Sequence, residues 1–422
     1  MFHKSLLALL VLICVLPVKS FSHDYFESIY LPDSLVVYDL AVNEQSELFV
    51  TAHSVYTNNS WILKSSNNGQ TWQTVYEYIF GPAGVIKITP EGTIYALAEY
   101  DWQESSLIKS IDNGQTWTYL HVPADNNFSN SGLYFQGDDT LFVAQSNSLK
   151  NRLLRTTDEG SNWDTIFTHI NSSEFITSLA IKSNTMYLSL SGFLENTGGV
   201  YKSNDNGTTW NLMGLFSNMV IDLSFNNTGD LFISTMSGED PAGLYAIYEN
   251  EDVISPVFTG SSLTKLAINE GDDIFAGHFY IGSIYHSTDN GVTYEWISSG
   301  LPTYASIDVL YLDHQQFLYV TAGTNVIWKS TEATITGKRE KQSAQCLVFP
   351  NPCYDQITGF IPDAQNGEHV YIVYDQSGRL LTEGSVEIND YRFTLDLFYL
   401  PKGIYYLHIY SSQTFAVQIV KL

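Results

Sequence analysis

Positive charge is scarce in this chain. Its 422 residues hold 19 Lys+Arg against 45 Asp+Glu, a net charge of −26, and only five of the cations are Arg. No basic stripe exists to neutralise phosphate, which excludes nucleic acid and anionic lipid as expected partners. Cysteine is nearly absent, with three in the chain. Beyond Cys14 only Cys346 and Cys353 remain, too few thiols for a structural zinc site without a nearby His pair. They leave a small disulfide loop and two free thiols as open alternatives. Long apolar runs are missing as well: the longest, residues 6–16, falls short of the ~20 residues that span a bilayer. With Lys4 before it and Ser20 and Ser22 after it, that run reads as a secretory signal peptide over residues 1–20, so no transmembrane segment is expected. No H-E-x-x-H, G-x-S-x-G or EF-hand string occurs, and the histidines are scattered; no cofactor and no metal site are expected. Amphipathic helical periodicity is missing too. In its place stand 29 Gly, 28 Tyr and 23 Phe in short alternating runs, an all-β composition.

The chain repeats itself. Five segments align without gaps: Ser65 to Trp72, Ser110 to Trp117, Thr156 to Trp163, Ser203 to Trp210 and Ser287 to Tyr294. Their glycines, Gly69, Gly114, Gly160, Gly207 and Gly291, are spaced by 45, 46, 47 and 84 residues, the last being two periods. A sixth copy around 245–252 keeps its strand and has lost the Gly and Trp. Each copy follows an alternating strand, a tight polar turn such as Thr89-Pro-Glu-Gly92, a second strand such as Leu231-Phe-Ile-Ser-Thr235, and a third strand. Alternation at period two with Gly and Asp turns is a β-meander, and four short strands per 40–50 residues are one blade of a β-propeller.

Starts near residues 36, 84, 132, 176, 219, 263 and 305 predict seven blades over residues 23–331. The seventh has three obvious strands, and the N-terminal stretch 25–31 is expected to supply its fourth and close the ring. Within the motif S/T-x-D-x-G-x-T-W, the acid (Asn67 in the first copy, then Asp112, Asp158, Asp205 and Asp289) is expected to accept backbone N–H groups in an Asx-turn. The glycine takes a positive φ. The ring of Trp72, Trp117, Trp163, Trp210 or Tyr294 is expected to pack between blades. A feature copied around a ring is structural; chemistry needs one unique place.

The motif resembles the Asp-box (BNR repeat) of sialidases and related propellers. The resemblance implies a sialidase-like fold, and it implies a catalytic site only if three arginines from different blades grip a substrate carboxylate. Residues 21–331 contain two, Arg152 and Arg155, both in one blade, so the sialidase mechanism is excluded. No catalytic residue is assigned. The loops between second and third strands, opposite the repeated hairpins, carry acids and aromatics suited to a ligand: Tyr100, Asp101, Trp102, Glu195, Phe279 and Tyr280. Surface loops of so acidic a chain hold carboxylates whether or not they bind anything.

A polar, locally basic linker (332–345) precedes short alternating strands over 346–422, expected as a small immunoglobulin-like sandwich. This segment resembles the C-terminal sorting domain of type IX secretion, type A, through Pro350-Asn351-Pro352, Asp375 to Arg379, Leu400-Pro401-x-Gly403-x-Tyr405 and Lys421. The resemblance implies passage through the outer membrane on the type IX machinery, and release or attachment at the cell surface. Three readings follow: an exported binding module for glycan or protein, a glycoside hydrolase or lyase using loop carboxylates, or a purely structural or adhesive envelope protein.

Overall fold

The structure, a computed structural model, describes residues 24–335 and 347–421 apart from short stretches at 33–34, 58, 79–82, 101–103, 124–128, 148, 171–173, 193–196, 216–217, 239, 350–352, 362–365, 376–378, 390–391 and 411–413. The expected signal peptide, Cys346 and the Pro350-Asn351-Pro352 string therefore lie outside the described residues. The chain divides into two compact units, Met1–Ile335 and Thr336–Leu422. Residues 332–335, expected as linker, stay with the first unit: Thr334 donates from its backbone N to the Gln316 carbonyl at 2.8 Å, and Ser330 Oγ donates to the Glu332 carbonyl at 2.8 Å.

Among the described residues the first unit is built of seven four-stranded antiparallel sheets. Six are consecutive meanders, the first running Leu35–Val42, Leu48–Ser54, Ser60–Ser65 and Gln73–Tyr78. The seventh takes Val309–Leu312, Leu318–Thr321 and Val326–Ser330 from its own stretch and Phe26–Tyr30 from the N-terminal side, with Phe26 opposite Ser330 and Tyr30 opposite Val326. The first strands of successive sheets touch in cyclic order, the seventh returning to the first. The core follows the same cycle. It is seven apolar layers, each shared by two neighbouring blades, such as Phe49 and Ile62 against Ile86, Ile94 and Ile108. Aromatic residues at one place in the second strands (Phe49, Phe142, Phe232, Phe275, Tyr319) are fully buried in these layers. Burying such a side chain contributes roughly 1.5–3 kcal/mol, which is why the second strands read as near-continuous apolar runs.

The repeated motif is the joint between blades. In the second copy Ser110 Oγ donates to Asp112 Oδ1 at 2.9 Å and accepts from the Gly114 N–H at 2.9 Å, while Asp112 Oδ1 accepts from the Thr116 N–H at 2.8 Å. The same three bonds recur around Asn67, Asp158, Asp205 and Asp289. The turn is thus wider than the Asx-turn expected: the acid reaches the amide four residues on, because two residues in succession, such as Asn113 (φ 62°) and Gly114 (φ 83°), turn left-handed. Hydrogen bonds from Thr116 hold the Asp112 carboxyl down at about 2, and bonds from Thr209 do the same for Asp205. Each hairpin leans on the preceding blade. Nε1 of Trp72, Trp163 and Trp210 donates to the carbonyls of Tyr30, His121 and Ile166 at 2.9, 2.9 and 2.8 Å.

A second joint was not anticipated. In the first four copies a Lys or Arg stands immediately before the motif's Ser or Thr and crosses to the next blade's hairpin, and Lys329, before Ser330 in the seventh blade, does the same. Lys109 pairs with Glu159 at 3.0 Å, Arg155 Nη1 donates to the Asn206 carbonyl at 2.9 Å, Lys329 donates to Asn68 Oδ1 at 3.1 Å, and Lys202 pairs with Asp252. Several lie over an aromatic ring, Lys329 at 4.4 Å from the Phe317 centroid.

The second unit is a pair of sheets, one of three strands and one of four, closed over a core that includes Ile357, Val373, Phe393, Tyr405, Leu407 and Ile419. Cys353 is buried in that core with no disulfide partner among the described residues, and burial pushes its pKa up.

Candidate ligand site at the channel mouth

In an antiparallel meander the first strand of each blade starts on the face that carries the loops between strands two and three, and ends on the face of the repeated hairpins. Near their starts, the first strands of six blades break register in the same way: between Val37 and Asp39, Ala83 and Ile86, Asn130 and Gly132, Ile176 and Ser178, Val220 and Asp222, and Leu263 and Leu266. A bulge lets one more residue leave the ladder and re-aims its side chain. Residues at these bulges, Tyr38, Val85, Ser131, Thr177, Ile221 and Lys265, all line one cavity of about 430 Å³ on the axis of the ring. Phe175, Ile176, Leu97 and Asn130 complete most of its wall. The volume lies in the range of small-ligand pockets, and the wall mixes polar with apolar surface in similar measure.

Lys265 stands out among the cations. Residues 24–331 contain ten Lys and Arg. Lys64, Lys87, Lys109, Arg155, Lys182 and Lys202 meet carboxylates. Arg152 donates to Gln145 Oε1 at 2.7 Å and to the Pro123 carbonyl at 2.6 Å, Lys329 to Asn68, and Lys150 is also engaged. Among the described residues Lys265 has no hydrogen bond and no ion pair. The charge it feels is Asp308, just ahead of the seventh blade's first strand, whose N–H donates to the Thr321 carbonyl at 3.0 Å. Burial raises the Asp308 pKa; a bond from Ser306, the Lys265 charge and the Gly323 backbone pull the other way.

The residues expected to bind a ligand are distributed differently. Asp101, Trp102, Glu195 and the side chain of Tyr100 lie outside the described residues. Phe279 and Tyr280 sit together on the loop after Ile274–His278, rings edge to face at 4.3 Å, with Tyr280 64% exposed, but neither lines the cavity. That loop is braced: the Phe279 N–H donates to the Ser262 carbonyl at 3.1 Å and the Gly282 N–H to the Ala305 carbonyl at 2.8 Å. Sequence reasoning missed Tyr38, Lys265 and Asp308. Nothing in the sequence marked Lys265: like Lys87, Lys150 and Lys182 it is a lysine with no motif serine after it.

Residues 347–421 match the secretion system C-terminal sorting domain. The chain therefore carries a type IX sorting domain and is directed to the cell surface or extracellular space. Of the sorting string, Gly403 opens the strand Gly403–Tyr410, Tyr405 is buried with its hydroxyl donating to the Pro401 carbonyl at 2.6 Å, and Lys421 is buried at the end of the last strand. No helix among the described residues is long and apolar enough to cross a membrane. No curated protein is significantly similar to the chain. Among solved structures it is similar to YCF48 bound to D1 peptide (13% identity, 75% of this chain and 98% of that one, TM-score 0.57). It is also similar to the extracellular domain of BT3049 from B. thetaiotaomicron (11%, 94% and 57%, TM-score 0.56). A third is the GH74 enzyme of Niastella koreensis (13%, 94% and 75%, TM-score 0.55). At these identities the likeness is one of fold: a β-propeller.

Proposed function

We propose that the protein is an exported binding module that takes its ligand, glycan or protein, at the mouth of the central channel. The observation that carries this reading is the shared register break of six inner strands, which turns six bulge residues from as many blades into one cavity. Any one such bulge could serve an outward-facing residue; the convergence of six makes a place. Two of the similar propellers are described as peptide-bound and as a glycoside hydrolase, so the fold hosts both binding and turnover. Glycoside hydrolysis needs two carboxylates ~5–9.5 Å apart. Among the described residues the cavity wall has none, which favours binding over hydrolysis.

The reading is tested with a plug. Ser131 is exposed on the channel wall, so Ser131→Trp fills space without entering the blade core. Screened on glycan and peptide arrays, the full-length protein should bind a ligand that the plugged variant loses at an unchanged melting temperature. Equal binding by both proteins would remove the channel from the site, and product release from a bound glycan would replace the binding reading with the hydrolase.

A further inference from the structure

We infer that the outer face of the four-stranded sheet in the sorting unit is the surface by which a protein of the secretion machinery grips the chain. The sorting string is poorly placed to be read directly. Leu400, Tyr405 and Lys421 are buried, and the Tyr405 hydroxyl and the Lys421 ammonium are engaged by Pro401, Asp355 and Leu397 of the same unit. These residues fold the tag, so recognition falls to side chains that reach the outside.

The two central strands of that sheet, Gly367–Asp375 and Gly403–Tyr410, are apolar on both faces. Inward, Val373, Tyr405, Leu407 and Ile409 enter the core, with Tyr371 packed against it. Successive side chains of a strand point to opposite faces, so Val370, Ile372 and Tyr374 point outward, as do Tyr406 and His408. The register sets them side by side: Ile372 lies opposite His408 and Tyr374 opposite Tyr406, with Leu380 of the neighbouring strand on the other side of Tyr374. The Tyr374 and His408 rings meet edge to face at 5.0 Å. Val370, Leu380 and Tyr406 are 52, 48 and 41% exposed.

An antiparallel sheet with one face in water carries polar residues on that face. The other sheet of the same sandwich obeys the rule: in Arg392–Asp396 the residues Arg392, Thr394 and Asp396 point out while Phe393 and Leu395 point in. Single exposed apolar residues are ordinary, but a contiguous stripe of them marks a contact surface. The stripe is bounded on the edge strand Leu380–Ile388 by exposed Glu383, Ser385 and Glu387, and an apolar centre with a polar rim is the make-up of a protein interface. It contains no Lys or Arg, so it fits a protein surface and not an anionic lipid. The unit that carries it matches a sorting domain over residues 347–421, which makes the machinery that handles such domains its occupant.

The test places a photo-crosslinking side chain in the full-length protein, expressed in a host with an active type IX system. On irradiation Tyr406→p-azidophenylalanine should link to an outer-membrane component of the machinery, identified by mass spectrometry, and Thr394→p-azidophenylalanine on the other sheet should not. Two charge variants accompany it. Val370→Lys with Tyr406→Lys should lower the amount reaching the medium and cell surface about tenfold, because the lysines desolvate in the interface. Gln356→Lys with Thr394→Lys adds the same charge to the other sheet and should be exported like the parent. Limited proteolysis within 347–421 should run at the parental rate in both purified variants; if the Val370→Lys and Tyr406→Lys pair loosens the unit, the crosslink from position 406 decides alone. A link from that position only to residues 24–335 or to a second copy of the chain would overturn the inference. So would equal links from positions 406 and 394, or parental export of a Val370→Lys and Tyr406→Lys chain that resists protease.

Discussion

At Gly207 the backbone turns to φ 84°, and a Cβ placed there would lie 2.9 Å from Ile166 Cδ1 of the preceding blade. At Gly92 the turn is as left-handed, φ 88°, but a Cβ would meet nothing within 4 Å. An L side chain in the left-handed region costs about 1–2 kcal/mol at either position. Gly207→Ala adds the displacement of a packed methyl, so it should destabilise by more than Gly92→Ala. Urea unfolding of the two variants measures the difference, and equal losses would mean the hairpin does not press on its neighbour. The motif residues were legible in the sequence because each copy repeats the same local bonds. The basic residue before the motif was equally visible, at Lys64, Lys109, Arg155 and Lys202, yet its purpose was not. Its partner sits one period away, on a surface that exists only once the blades stand side by side.

Strands were easier to read than their defects. Period-two alternation gives away a half-buried strand, and turns such as Asn226 to Gly229 mark its end. A bulge leaves no such mark, since the residues it re-aims here are a tyrosine, a valine, a serine, a threonine, an isoleucine and a lysine. The loops, rich in aromatics, drew attention to the face of the site while the wall of the site lay in the strands beneath. In the sorting unit the final strand, Thr414–Lys421, shows how an element can be fixed by one side chain. Lys421 Nζ, 5% exposed, donates to Asp355 Oδ1 at 2.9 Å and to the Leu397 carbonyl at 2.7 Å. Lys421→Met keeps the stem and leaves that carbonyl without its donor, a loss of about 1–3 kcal/mol. Limited proteolysis of the full-length protein should then cut within 347–421 sooner than in the parent while the propeller stays intact. An unchanged digestion rate would show that the ammonium does not hold the strand.

A ring of separate layers has a vulnerability that a single core lacks: it stands only if the last interface closes. Here closure falls to Phe26–Tyr30, which pairs along the whole of Val326–Ser330 and, with Leu31 just after it, carries Phe26, Ile29 and Leu31, each at most 5% exposed, into two of the seven layers. It also supplies the Tyr30 carbonyl that Trp72 bonds and the Ile29 side chain that lies under Gly69. Burial of three such side chains contributes roughly 5–9 kcal/mol in all. A domain's whole net stability is about 5–15 kcal/mol. Deleting residues 24–31 should therefore leave no stable monomeric propeller, and the freed edge of Val326–Ser330 should drive association, read by size-exclusion chromatography and loss of the thermal transition. The Thr331 N–H donates to the Tyr25 carbonyl at 2.9 Å, so the same segment re-attached after Thr331 through a short turn meets its old partner as a hairpin. That rearranged chain should regain the monomer and most of the lost melting temperature. A truncated chain that melts like the parent would show that the other six interfaces hold the ring without the seventh.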